Sequence, residues 1–170
     1  MTYDDRDSTA REVKGKPATR AWDSQGKLSP MEHPPPEAKL HGSNRCFGCG
    51  PANPIGLQLG FVQAEDHSVA AHPVVSPDFD GHPGYLHGGI IATLLDETMS
   101  KAVRARGFTA MTRHMEVDYQ RPVPSSAPLR LEGRVTHNEG RKHWAEAKIL
   151  NSEGTILALG KGPFIEVRPR

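Results

Sequence analysis

The sequence lacks a long apolar run, an excess of either charge and a basic leader segment. None of its apolar runs approaches the roughly 20 residues needed to cross a bilayer, so we expect no membrane insertion. Lysine and arginine number 21 against 20 aspartates and glutamates, with no basic block, so we expect no nucleic-acid partner. The chain opens with Asp4, Asp5 and Asp7, unlike a secretory or mitochondrial leader. These absences together predict a cytoplasmic protein.

The chain divides into a polar N-terminal segment and one domain. Residues 1–39 are rich in charge, proline and threonine and offer little apolar surface to bury, which predicts a disordered or loosely packed tail. Residues 40–170 are enough for one well-packed domain and too few for two ordinary ones.

Hydrophobic periodicity indicates one helix among several strands. Alternating residues predict an antiparallel strand pair at 57–63 and 68–75, followed by a loop at 76–86. A period near 3.6 predicts a helix from 88 or 89 to 106, which Gly107 ends. Its expected apolar face comprises Ile90, Ile91, Leu94, Leu95, Thr98, Met99 and Ala102. Period-two strands then follow near 114–119, 129–135, 143–150 and 155–167. The order predicts an α+β fold in which an antiparallel sheet wraps a long central helix.

Both cysteines belong to a single motif, Cys46-Phe47-Gly48-Cys49-Gly50. A structural zinc site needs four ligands, and only His33 and His41 lie near enough in sequence to add to the two thiols. A redox pair would sit on the first turn of a helix, which the surrounding glycines and prolines break. We therefore expect a structural turn with reduced thiols and no metal. A metal site and a disulfide are the alternatives.

Two features around the predicted helix could support chemistry. His87-Gly88-Gly89 stands directly before it, where unpaired amides at the positive end of the helix dipole suit an oxyanion. Asp96 lies at the border of the apolar face, with no lysine or arginine three or four residues away to pair with it. Glu97 falls on the polar face, so we expect it to be solvated. Taken alone, the glycines could be ordinary turn geometry and Asp96 an ordinary surface carboxylate.

One long motif, at residues 81–97, reads GHPGYLHGGIIATLLDE. It resembles the signature of one family, the PaaI-type hot-dog-fold acyl-CoA thioesterases. An upstream CFGCGPANPIGL at 46–57 is similar to one branch of the family. The likeness continues through 112–113, 119–124, 141–142 and 158–167, and so covers the chain from about residue 41 onward. Motifs in the right order are more specific than any one of them.

The resemblance implies a hot-dog fold that dimerises edge to edge, as a homodimer or a dimer of dimers, and an acyl-CoA substrate with no cofactor. Asp96 would act as general base or nucleophile, and Thr112 would orient the water. The Gly88 amide, assisted by Gly89, would hold the thioester oxygen while His87 braces the turn. The alternatives are a non-catalytic acyl-CoA-binding module and a dehydratase, which would need a histidine that this helix lacks.

Other positions of the resemblance concern substrate binding. Some family members carry asparagine or glutamine six residues before the motif histidine, where this chain has Gly81, leaving His82 or backbone groups as substitutes. Arg141, Lys142 and Lys161 are candidates to meet the CoA phosphates, although each could be a solvated surface charge.

Spacing along the helix gives a separate reason to expect a dimer. Gly89 and Asp96 are about 10 Å apart along the helix axis, at roughly 1.5 Å per residue. That is too far for both to act on one thioester carbon. A second subunit could supply the missing group, so we expect the active site to lie between subunits.

Overall fold

The computed structural model describes residues 44–167, so the predicted tail at 1–39, together with His33 and His41, lies outside the described residues. Within these residues, nine strands and one α-helix follow one another. They are β1 (Val62–Gln63), β2 (Val69–Ala71), β3 (Asp80–His82), β4 (Tyr85–Leu86), α1 (Gly88–Ala105), β5 (Ala110–Thr112), β6 (Glu116–Tyr119), β7 (Arg130–Glu139), β8 (Lys142–Leu150) and β9 (Ile156–Glu166). A 3-10 turn, Pro77–Phe79, precedes β3.

One antiparallel sheet of seven strands contains all but the small β3–β4 hairpin. Its order is β1-β2-β7-β8-β9-β5, and β6 also pairs with β9. The helix contacts β2, β5, β7, β8 and β9, so the sheet curves around it. The predicted α+β arrangement of one helix wrapped by an antiparallel sheet is therefore confirmed.

The core lies between α1 and the concave face of the sheet. The helix buries Ile91, Leu94, Leu95, Thr98, Met99, Ala102 and Val103. The predicted face is correct except that Val103 is buried and Ile90 is only partly buried. Alternate residues of β7 and β8, among them Leu131 and Ile149, complete the core. Burying such side chains contributes about 1.5–3 kcal/mol each, so this contact dominates the stability of the fold.

A row of very small residues crosses the sheet beneath the helix. Gly133 of β7 faces Ala147 of β8, which in turn faces Gly160 of β9. A Cβ atom at Gly133 would lie 2.7 Å from Thr98 Cγ2, and one at Gly160 would lie 3.0 Å from Leu95 Cβ. These separations leave no room for side chains, so the row determines how closely α1 approaches the sheet.

The N-terminal strand prediction at 57–63 was wrong for most of its length, since β1 begins only at Val62. Gln58 has a positive φ of 48°, which interrupts an extended strand. The amides of Leu57 and Leu59 donate to the carbonyls of Phe47 and Gly48 instead. This segment therefore pairs with the cysteine motif and not with the sheet.

The remaining boundaries differ less. The strand predicted at 68–75 is shortened to β2, and the one at 114–119 to β6. The predicted loop at 76–86 contains the 3-10 turn and the β3–β4 hairpin, which periodicity could not reveal because its strands span two and three residues.

Replacing Gly133 by alanine tests the close packing of helix and sheet. The new methyl group would collide with Thr98, so we expect Gly133→Ala to lower the free energy of unfolding by about 1–3 kcal/mol. Gly60→Ala is the matched control, because nothing lies within 4 Å of a Cβ at that position. Urea unfolding measures both changes, and equal midpoints for the two variants would contradict the prediction.

Candidate active site

The site begins at the N-terminus of α1, where His87 caps the helix. Its Nδ1 accepts a hydrogen bond of 2.9 Å from the Gly89 amide, and its carbonyl oxygen accepts from Ile90 and Ile91. The cap therefore uses the Gly89 amide that we expected to assist oxyanion binding. Within residues 44–167, no hydrogen bond engages the Gly88 amide. Gly88 thus offers the donor at the positive end of the helix dipole.

Two further residues hold this turn in place. The Tyr119 hydroxyl at the end of β6 donates to the Gly88 carbonyl at 3.1 Å. On the other side, a Cβ at Gly81 would lie 2.9 Å from His87 Cα, so a larger residue at position 81 would displace the cap. Gly81, where some family members have asparagine or glutamine, therefore leaves the space that His87 occupies in this chain. Sequence reasoning missed Tyr119, although it lies in the motif at 119–124.

The carboxylate of Asp96 lies two turns along the helix, beside the end of β5. Thr112 Oγ1 donates to Asp96 Oδ1 at 2.6 Å. Thr112 has one hydroxyl proton, which this bond uses, so its oxygen can only accept a hydrogen bond from a neighbouring water. The structure thus brings together the two residues that the sequence placed 16 positions apart. Their geometry orients the carboxylate and leaves an acceptor beside it.

Of the predicted phosphate contacts, Arg141 and Lys142 lie at the Thr112 end of the sheet. Lys142 faces Ile165 in β9, and Ile165 faces Met111, the neighbour of Thr112, in β5. Arg141 donates to the Glu166 carbonyl at 2.6 Å, whereas Lys142 is 4.0 Å from a carboxylate oxygen of Glu139 and largely exposed.

Within one chain, the structure does not bring Lys161 or His82 to the carboxylate of Asp96. Lys161 pairs with Glu116 at 3.1 Å on the outer face of the sheet, and Asp96 lies on the inner face. His82 is exposed at the end of β3, in the hairpin that precedes the helix.

Glu97 is not solvated, so that expectation was wrong. Its side chain is only 12% exposed, because the cysteine motif lies over it and Lys101 pairs with it at 3.0 Å. Burial alone would raise the pKa of Glu97, but hydrogen bonds from Cys49 and Lys101 outweigh it and lower the pKa. The carboxylate therefore stabilises the fold at neutral pH, and this contribution is lost as the pH falls through its folded pKa.

The cysteine motif forms a turn with two free thiols against the helix. Lys101 Nζ donates to Cys49 Sγ at 2.9 Å. Burial above all, and then the adjacent Glu97, raise the pKa of the Cys49 thiol to about 11. At neutral pH the thiol is therefore protonated and a poor nucleophile.

The described part of the chain contains no helix long and apolar enough to span a membrane.

One protein-family model and several known proteins match parts of this chain. The family model of the thioesterase superfamily matches residues 83–158, from the turn before α1 into β9. Acyl-coenzyme A thioesterase THEM4 of Rattus norvegicus is 31% identical over an alignment of 117 positions, which covers 65% of this chain and 50% of the relative. The Xenopus laevis protein of the same name is 32% identical over 48% of this chain and 36% of its own. The chain thus spans half or less of these relatives' length.

Solved structures share the architecture. A crystal structure of a thioesterase superfamily protein has a TM-score of 0.69 and 28% identity, covering 72% of this chain and 61% of its own. Escherichia coli PaaI, from the phenylacetic acid degradation operon, has a TM-score of 0.61 and 19% identity, covering 66% and 81%. A hypothetical thioesterase protein from Streptococcus pneumoniae, solved with coenzyme A, has a TM-score of 0.61 and 20% identity, covering 66% and 88%. The last two likenesses establish the fold alone.

Proposed function

We propose that this chain, which has the hot-dog fold and matches the family model of the thioesterase superfamily over residues 83–158, hydrolyses an acyl-CoA thioester to the free acid and CoA. The observation that supports this most directly is the 2.6 Å hydrogen bond between Thr112 and Asp96 on the inner face of the sheet. A carboxylate held in one orientation, beside a hydroxyl that can accept from water, suits the hydrolysis of an activated acyl group.

Asp96 acts as general base on water or as the nucleophile. In the first case, water donates one hydrogen bond to Asp96 and another to the Thr112 oxygen, which directs its lone pair at the thioester carbon. In the second, Asp96 attacks the carbon directly, the C–S bond breaks and CoA leaves as its thiolate, and water then cleaves the resulting anhydride to the free acid. Thr112 fixes the carboxylate in both.

The oxyanion that forms during attack is stabilised by the Gly88 amide. This N–H has no partner within the described residues, and the dipole of α1 favours negative charge at this end. Because Gly89 is occupied by the His87 cap, Gly88 acts alone in the first turn. His87 and Tyr119 keep the amide in place by binding the groups on either side of it.

The two halves of the site come from different subunits of a homodimer. Gly88 and Asp96 are eight residues apart in α1, about 12 Å along its axis, so one chain cannot place both against the same carbon. A twofold axis between neighbouring helices would bring Gly88 of one chain near Asp96 of the other. In such a dimer Arg141 and Lys142, at the Thr112 end of the sheet, would meet the CoA phosphates. Lys161 could serve only from another subunit.

Thiol release from a panel of short, medium, long and arylacetyl-CoA thioesters tests the activity. Asp96→Asn should lower kcat by about a hundredfold or more with KM nearly unchanged, because the amide retains the shape and loses the base. Glu65→Gln, an exposed carboxylate-to-amide change in the β1–β2 turn, is the control. Binding of acyl-CoA without any thiol release by the wild type would show a binding module and defeat the proposal.

Substitutions at Thr112 separate its hydroxyl from its shape. Thr112→Val removes the hydrogen bond to Asp96 and should lower kcat by roughly tenfold to a hundredfold, whereas Thr112→Ser should be mild. Steady-state kinetics on one acyl-CoA substrate measures both, with thermal unfolding as the check on folding. Valine turning over as fast as threonine would remove Thr112 from the mechanism.

Mixing two inactive variants tests the shared site. Gly88→Val keeps the backbone N–H, so the added side chain should inactivate the site by blocking the approach of the thioester oxygen to that amide. The variant should fold, because the nearest atom to a Cβ there is 3.7 Å away in Tyr119. In a heterodimer of Gly88→Val and Asp96→Asn chains, one site has both defects and the other has neither. Random assortment makes about half of the dimers mixed, so roughly a quarter of all sites regain activity. If verified, folded heterodimers stayed inactive, both groups would have to act from one chain.

A further inference from the structure

Three potential metal ligands converge next to the proposed active site and take no part in it. Cys46 Sγ, Cys49 Sγ and a carboxylate oxygen of Glu97 all lie within 4.8 Å of one another. We propose that these three residues bind one Zn²⁺ ion. The site is independent of the proposed hydrolysis, which uses the neighbouring residue, Asp96.

The separation of the ligand atoms fits the ion. Zinc takes thiolate sulfur at about 2.3 Å and carboxylate oxygen at about 2.0 Å in tetrahedral sites, which sets sulfur and oxygen about 3.5 Å apart. Cys46 Sγ and the Glu97 Oε2 atom are 3.5 Å apart. The chain therefore already holds this pair at the ligand spacing of zinc.

Lys101 supports the cluster from outside. It pairs with Glu97 Oε1 at 3.0 Å, so Oε2 remains directed toward the sulfur atoms, and it donates to Cys49 Sγ at 2.9 Å. Such outer contacts orient metal ligands. Zn²⁺ binding releases the two thiol protons. The resulting two thiolates and the carboxylate carry three negative charges, which Zn²⁺ and Lys101 neutralise, and this lowers the cost of keeping the cluster partly buried.

The backbone of the turn is shaped for the same contact. A Cβ at Gly48 would lie 2.6 Å from Glu97 Oε2, so glycine lets the carboxylate reach the sulfur atoms. The Gly50 amide donates to the Cys46 carbonyl at 2.9 Å and closes the turn that brings both cysteines to one side. Three protein ligands leave the fourth tetrahedral position to water. The ion would tie this turn to α1 one residue away from Asp96.

Cobalt provides a spectroscopic probe for the site. The full chain, reduced, treated with EDTA and dialysed, should bind one Co²⁺ per chain, with thiolate-to-cobalt charge-transfer absorption and tetrahedral d–d bands. Zn²⁺ should displace it. Cys46→Ser and Cys49→Ser should each weaken the charge-transfer band and lower affinity at least about tenfold, and Glu97→Gln should lower affinity while keeping that band. Asp96→Asn, an adjacent carboxylate outside the cluster, should bind Co²⁺ like the wild type.

A measurement on the wild type guards against misfolded variants. Zn²⁺ should protect Cys46, the exposed thiol of the pair, from iodoacetamide in the native protein, as mass spectrometry would show. The proposal is overturned if one-to-one binding is not saturable, if the charge-transfer band survives in a double cysteine variant, or if Zn²⁺ gives no protection. None of these readouts involves acyl-CoA, so failure of the thioesterase proposal would leave them unchanged.

Discussion

The close contact between α1 and the row Gly133–Ala147–Gly160 is the constraint on which the rest of the structure depends. It lets the helix lie almost directly on the sheet backbone at Thr98 and Leu95. Asp96 follows Leu95 in the same turn, so the depth of that contact also determines how near the carboxylate comes to Thr112. Packing that stabilises the core therefore also sets the hydrogen bond on which the proposed chemistry relies.

Asp96 and Glu97 are consecutive in α1, yet their carboxylates lie in different environments. Asp96 and Glu97 differ by about 100° around the helix axis. One carboxylate reaches β5 and the other reaches the cysteine turn, where a thiol and Lys101 surround it. The same functional group is thereby placed in two environments, one suited to acting on substrate and one suited to holding a cation.

Much of this architecture could be predicted from the sequence, because the helix and the long strands have strong periodicity and clear ends. The resemblance to the family also implied that Thr112 lies beside Asp96. Residues 57–61 and the solvation of Glu97 could not be predicted, since both depend on how one irregular segment packs on another. Helical periodicity places Glu97 on the polar face, and it contains no information about the turn at 46–49 that covers that face. The role of Tyr119 could not be predicted either, because its hydroxyl binds a backbone carbonyl 31 residues away in the sequence.

Strand β9 pairs with both β5 and β6, opposite Thr112 through Phe164 and opposite Tyr119 through Ala158. The register of this one strand therefore positions both Thr112, which binds Asp96, and Tyr119, which binds the first turn of α1. Between residues 158 and 165, β9 pairs with β8 without a register shift, and a one-residue slip there would turn every side chain to the other face of the sheet. Insertions or deletions within β9 should therefore be far rarer among functional descendants of this chain than length changes in the Asn151–Gly154 turn that precedes it.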